Sequence, residues 1–162
     1  MTPRSIFVLM VLAIAAVFGY ALYTQYVDGL EPCPLCMTQR FFYVLTAAFA
    51  LLGALHLKRS AIYGGLIVAS ALGGGAVAGR QVWLQHLPAD QVPACGPSLE
   101  YMFQTLPFGE VLLRMFKGDG NCALIDWQFL GLSMAEWSLF CFVLLAMGGV
   151  WQLCRSKVSA PQ

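Results

Sequence analysis

Apolar residues run almost unbroken through four stretches of this chain, roughly Ser5 to Tyr23, Phe41 to Leu57, Ala61 to Leu84 and Ala135 to Leu153. Each is close to the ~20 residues a helix needs to cross a bilayer core. The pattern predicts an all-α membrane protein: a four-transmembrane-helix bundle forming a single integral membrane domain over 1–162. Its two outer loops span about 24–40 and about 85–134. The first stretch reads as a span and not as a cleaved signal, because it is long for a signal's apolar core and lacks a small-x-small site near its end. In the third stretch Gly73, Gly74, Gly75 and Gly79 cluster, and Gly75 with Gly79 makes a small-xxx-small pair expected to admit a neighbouring helix. A nucleotide-binding glycine loop needs a preceding strand, which a bilayer helix excludes. The longer outer loop is itself apolar, carrying Leu99, Met102, Phe103, Leu106, Phe108, Val111, Leu112, Met115 and Phe116, and Pro88, Pro93, Pro97 and Pro107 interrupt it. Its Pro107 to Lys117 portion predicts a short amphipathic helix lying in the membrane interface.

Composition strengthens this picture. The chain is 59% hydrophobic and 10% charged, against about half and about a quarter in soluble domains, and its mean hydropathy is +0.72. A net charge of +1 suggests neither nucleic acid nor an acidic substrate. The placement of charge says more. Arg4 precedes the first span, Lys58 and Arg59 fill the turn between the second and third, and Arg155 and Lys157 follow the fourth. The other two loops hold Asp28, Glu31, Asp90, Glu100, Glu110, Asp119 and Asp126 against Arg114 and Lys117 in the longer one. By the positive-inside rule both termini are expected in the cytoplasm and both acidic loops outside. In a bacterium that outer side is the periplasm, where disulfides persist.

Four of the six cysteines, Cys33, Cys36, Cys95 and Cys122, fall in those outer segments. Cys33-Pro34-Leu35-Cys36 opens the second helical run, with Arg40 one turn beyond Cys36 on the same helix face. A helix N-terminus and a nearby cation favour the thiolate, the reactive form of sulfur. A bridge across two intervening residues restrains almost nothing, so this pair reads as built for exchange. Cys95 and Cys122 could close a bracing disulfide worth roughly 3–4 kcal/mol on the chain-entropy account, or a dynamic one. A zinc site is disfavoured: there is no second CxxC and no nearby histidine beyond His86, and it would need reduced thiols, so no metal is expected. Two exchange-competent pairs on one side imply a relay, each step passing through a mixed disulfide. Cys36 and Arg40 lie at the membrane boundary, within reach of a lipid-soluble quinone. Arg40 is costly there unless it serves a site or snorkels outward. Cys141, inside a span, reads as a small buried apolar residue, and Cys154 as a free thiol on the cytoplasmic side.

Longer motifs surround these residues: Glu31-Pro32-Cys33-Pro34-Leu35-Cys36 with Arg40, Gly79-Arg80, the lone Cys95, Gly120-Asn121-Cys122-Ala123, Asp126-Trp127-Gln128-Phe129-Leu130-Gly131-Leu132 and Trp137. Over nearly its whole length the chain resembles the disulfide bond formation protein B (DsbB) family, bacterial inner-membrane thiol–quinone oxidoreductases. The resemblance implies that a DsbA-like periplasmic thiol oxidase is the partner and ubiquinone the electron acceptor, with menaquinone an alternative under anaerobic conditions. It also implies a monomer in the bilayer. On this likeness the partner forms its mixed disulfide with Cys95, Cys122 then attacks Cys33, Cys36 passes electrons to the quinone, and Arg40 is the quinone-binding arginine. The stretch between Cys95 and Cys122 would dock in the partner's groove as an extended strand. One departure stands out. The family often carries a histidine near the end of the third span, where this chain has Gln81, with His86 a few residues beyond. Two other readings compete. A vitamin K epoxide reductase-type enzyme shares four spans and two cysteine pairs but carries its CxxC at the outer end of the last span. A non-catalytic scaffold would use its disulfides only as braces.

Overall fold

The computed structural model describes residues 2–97 and 99–158, with the side chains of Lys58, Leu99 and residues 156–158 outside that description. The basic side chains of Lys58 and Lys157, and the apolar one of Leu99, therefore lie outside the described set. Among the described residues six α-helices form: α1 (Pro3–Tyr26), α2 (Pro34–Leu55), α3 (Ser60–Gln85), α4 (Leu99–Thr105), α5 (Phe108–Lys117) and α6 (Met134–Val158). Four of them, α1, α2, α3 and α6, are long and apolar enough to cross a membrane. Between α5 and α6 sits a two-stranded hairpin, β1 (Gln128–Phe129) and β2 (Leu132–Ser133), with Gln128 opposite Ser133 and Phe129 opposite Leu132.

Helix ends follow from local chemistry. Thr2 caps α1 by accepting the Ser5 N–H, and Pro3 at the first turn has no N–H to leave unpaired. The second helix begins at Pro34, seven residues before the apolar run at Phe41, because Cys33 and Pro34 provide the same cap-then-proline start. Arg40 therefore lies within α2. Ser133 and Glu136 form a reciprocal capping box at the start of α6: Ser133 N–H donates to Glu136 Oε2 at 2.6 Å, and Glu136 N–H to Ser133 Oγ at 3.3 Å.

The four long helices do not pack evenly. The α3 helix is the hub, against α6 and α2, while α1 rests on α2 and scarcely touches α6. Phe7, Ile14, Tyr43, Ala50, Ile67, Ala71 and Phe142 are buried among them. Polar contacts between helices add to this packing: Tyr43 to Ser138 at 3.1 Å and Thr46 to Ser70 at 2.9 Å. In a bilayer each contributes roughly 0.6 kcal/mol, so close fit carries much of the association. A close glycine contact between α3 and α6 is at Gly74, where an added Cβ would lie 2.3 Å from the Phe142 ring. The expected contact at Gly79 is absent, since nothing lies within 4 Å of its would-be Cβ. Gly79 is off the buried stripe of α3, which runs through Gly64, Ile67, Ala71, Gly74 and Ala78. Outward-facing Leu12, Val44, Leu55, Ile62, Leu72 and Val143 leave an apolar belt suited to lipid.

The long loop folds onto the bundle end that carries Cys33. The α5 helix matches the amphipathic segment expected there. Its Val111 is buried, and Thr38 of α2 donates to the Met115 carbonyl at 2.9 Å. Phe108, Leu113 and Phe116 stay exposed beside that packed edge, and Glu110 pairs with Arg114 on the opposite side. Such an apolar outer face suits the membrane interface. The α4 helix and the hairpin were not expected from the sequence. At the other end of the bundle, Gln152 of α6 donates to the Pro3 carbonyl at 2.7 Å, joining the start of α1 to the end of α6.

Candidate functional site

Cys33 is the N-cap of α2 and accepts the Cys36 N–H on its sulfur at 3.3 Å. This capping geometry turns both side chains to one face, with the two Sγ atoms 2.8 Å apart as free thiols. Cys122 comes from the short 3₁₀ turn Gly120–Ala123, whose cap Asp119 accepts the Asn121 N–H. It is fully buried among Leu35, Val77 and Leu84, with Cys33 packed against it. Hydrogen bonds with Cys122, then with Cys36, together with burial, hold the Cys33 thiol well above its usual range. The same contact acts oppositely on Cys122: the hydrogen bond from Cys33 outweighs burial and lowers its thiol. Cys33 is thus the junction between two sulfurs.

Cys95 is treated differently. It is exposed, on an extended segment laid alongside the Cys122 turn. Gly120 N–H donates to the Ala94 carbonyl at 3.2 Å and Asn121 Nδ2 to the Gly96 carbonyl at 3.1 Å. Backbones approach so closely that a Cβ on Gly120 would lie 2.3 Å from the Pro93 carbonyl oxygen. The structure therefore gathers Cys33, Cys36 and Cys122 and holds Cys95 at the surface nearby. Only the immediate flanks of Cys95 are extended; farther along, the chain forms α4 and α5.

Where α1 and α6 part, a cavity of about 480 Å³ opens, lined by both helices and reaching Cys33 and Cys36. Ala16, Val17, Phe18, Trp127, Phe129 and Trp137 make most of it apolar. An aromatic arc bridges its two sides: Tyr20 meets Trp127 edge-on at 5.6 Å, Trp127 meets Phe129 at 6.2 Å, and Phe129 meets Trp137 at 6.2 Å. The hairpin that presents Phe129 turns on Leu130 and Gly131, both at positive φ (53° and 80°), as a two-residue hairpin turn requires. Trp137 Nε1 holds it down by donating to the Phe129 carbonyl at 3.1 Å.

Arg40 lines this cavity, but its guanidinium reaches toward α1. Nη2 donates to the Ala21 carbonyl at 2.9 Å and Nη1 to Gln25 Oε1. Both acceptors sit near the negative end of α1, which favours a cation. Gln81 faces the sulfurs, whereas His86 is exposed and tied to the Val82 carbonyl at 2.8 Å. Between the two, Gln81 is the residue at the site. Sequence reading passed over Gln39, which donates to Gln81 at 2.7 Å. Its signal was a second polar side chain three positions after Cys36, beside an apolar run.

These features define a class: a membrane-embedded four-helix bundle with a dithiol at one end, opening on an apolar cavity between helices. A family model described as "Disulfide bond formation protein DsbB" matches residues 3–152. Disulfide bond formation protein B of Hahella chejuensis is 52% identical over 146 residues, 88% of each chain. Disulfide bond formation protein B 1 of Pseudomonas aeruginosa is 50% identical over 157 residues, covering 95% of this chain and 96% of that one. The protein of that name from Azoarcus sp. is 43% identical over 158 residues, covering 96% and 95%. The chain belongs to the DsbB family of bacterial membrane proteins.

Proposed function

We propose that this protein is a thiol–quinone oxidoreductase that reoxidises a DsbA-like periplasmic dithiol and passes the electrons to ubiquinone. The observation that carries the reading is Cys33, whose sulfur lies 2.8 Å from Cys36 and in contact with buried Cys122. That triple junction opens on the apolar cavity. A structural brace has no need of one sulfur touching two others or of a cavity beside them.

Exposed Cys95 is the sulfur a soluble partner can reach. A partner thiolate attacks Cys95 of the Cys95–Cys122 bond, and Cys122 leaves as thiolate. It attacks Cys33, forming Cys33–Cys122 and releasing Cys36 as thiolate. The partner's second thiolate then resolves its bond to Cys95, leaving an oxidised partner. The Cys95 thiolate recovers Cys122 from Cys33. The net result is one partner disulfide made and Cys33–Cys36 reduced, a transfer of two electrons and two protons.

The cavity fits a quinone: apolar and aromatic walls for a ring and lipid tail, one cation, and an opening between α1 and α6. When bound, ubiquinone would supply an acceptor for the two electrons and two protons of the Cys33–Cys36 dithiol, allowing its disulfide to reform. Arg40 would hold a quinone oxygen there. Basic Arg4, Arg59 and Arg155, near helix ends remote from Cys33, Cys36, Cys95 and Cys122, support a cytoplasmic location for that end. The test is turnover. Purified protein given reduced DsbA and ubiquinone should consume quinone absorbance, and a Cys36→Ser protein should not. Persistent quinone with abundant reduced partner would overturn the reading.

A further inference from the structure

Two buried amides beside the sulfurs have no part in the relay above. Gln39 and Gln81 are each 5% exposed. Gln39 Nε2 donates to Gln81 Oε1 at 2.7 Å. With its oxygen so engaged, Gln81 presents nitrogen to the cysteines: Nε2 stands 3.3 Å from Cys36 Sγ and 3.5 Å from Cys33 Sγ. The reverse contact, Cys36 S–H to Gln81 Oε1, is longer at 3.6 Å. Sulfur hydrogen bonds are normally weak, but a thiolate is an ionised acceptor and strengthens them.

We propose that Gln81 is a further catalytic residue and Gln39 its positioning residue, together forming an uncharged donor site for the sulfur that leaves when the Cys33–Cys36 bond is broken. This rests on the thiol-exchange reading of the site. In that step an incoming thiolate bonds to Cys33, the Cys33–Cys36 bond breaks, and its electron pair departs on Cys36 Sγ. Negative charge moves from the attacking sulfur to Cys36, and no proton is required. A second cation this deep would carry a desolvation cost of its own. An amide supplies N–H to the new anion without that cost. The Gln39 bond keeps the nitrogen end of Gln81 turned toward sulfur.

The experiment equilibrates a Cys95→Ser/Cys122→Ser protein, in which Cys33–Cys36 is the sole outer couple, with glutathione and its disulfide. Each reduction consumes two glutathiones and yields one glutathione disulfide, and the reduced fraction is read by alkylation and mass spectrometry. Gln81→Leu should lower the equilibrium constant for reduction about tenfold, the worth of one hydrogen bond to a charged group, or roughly 30 mV for a two-electron couple. Gln81→Glu, of the same shape but without the N–H, should lower it at least as far. Gln39→Leu should lower it about threefold as the Gln81 amide loses its anchor. Constants within twofold of the parent for both Gln81 variants would overturn the proposal. The titration contains neither quinone nor partner protein. Failure of turnover in the intact protein would therefore count against the proposed function, whereas unchanged constants count against the amide pair alone.

Discussion

Replacing Arg40 by methionine separates quinone binding from thiol exchange. A guanidinium carries five N–H donors. In this structure one goes to Gln25 Oε1, one to the Ala21 carbonyl at 2.9 Å, and one faces Met37 Sδ at 3.8 Å. The rest are available to an oxygen in the cavity. A hydrogen bond from a charged donor is worth about 1.5–3 kcal/mol, so losing one should raise the apparent KM for ubiquinone about tenfold or more. Oxidation of the first equivalent of partner, which needs only Cys95 and Cys122, should keep its rate. Lysine should be intermediate, because a point charge cannot serve both α1 and a ligand. The assay is initial-rate quinone reduction with saturating reduced DsbA, alongside single-turnover partner oxidation. Gln25→Leu is the control: it loosens the tie to α1 but keeps the cation, and its KM should move less than about threefold. An unchanged KM in Arg40→Met would refute the reasoning, as would a Gln25→Leu defect of equal size.

Three further outcomes follow from the same geometry. A Cys33→Ser protein should oxidise one equivalent of partner through Cys95–Cys122 and then stop, whereas continued turnover would contradict the relay order. Gly74→Ala forces Phe142, stacked on Tyr43 at 4.2 Å, out of place; overpacking of this kind costs about 1–3 kcal/mol. The thermal midpoint in detergent should fall for Gly74→Ala and hold for Gly79→Ala, and equal losses would count against the packing described. In the reduced protein Cys122 should lose its proton at lower pH than Cys33, since the Cys33 thiol donates to it. Cys33→Ala removes that donor and leaves the burial that raises the thiol. The pH midpoint for Cys122 alkylation should then rise, and an unmoved midpoint would show that Cys33 does not set it.

The spans were legible because each is an apolar run of bilayer length, and α5 because its charged residues fall on one side of a helix. The start of α2 was legible to the extent that Cys33-Pro34-Leu35-Cys36 opens it. Elsewhere local pattern gave little guidance. The hairpin depends on Leu130 adopting a left-handed conformation that leucine seldom takes, beside a single glycine. Gly75 and Gly79 had suitable spacing, but contact depends on which face of α3 meets α6: Gly74 and Gly75 lie against Phe142, whereas Gly79 meets nothing within 4 Å. The closeness of Cys33 and Cys36 was readable by spacing, yet the seating of Cys122 on Cys33 is a contact between distant segments. So is the Gln39–Gln81 bond, which joins residues of two spans. The end of the bundle that holds the chemistry was plain from sequence, while the order of its atoms emerged only from packing.

Fully reduced Cys95→Ser/Cys122→Ser protein, in which the relay cannot carry the bond away, mixed anaerobically with one equivalent of ubiquinone and no partner, gives the sharpest measurement. Peptide mapping should find a Cys33–Cys36 bond matched by an equal amount of quinol. Quinone left oxidised, or quinol formed while Cys33 and Cys36 remain thiols, would contradict electron transfer from this dithiol into the cavity beside it.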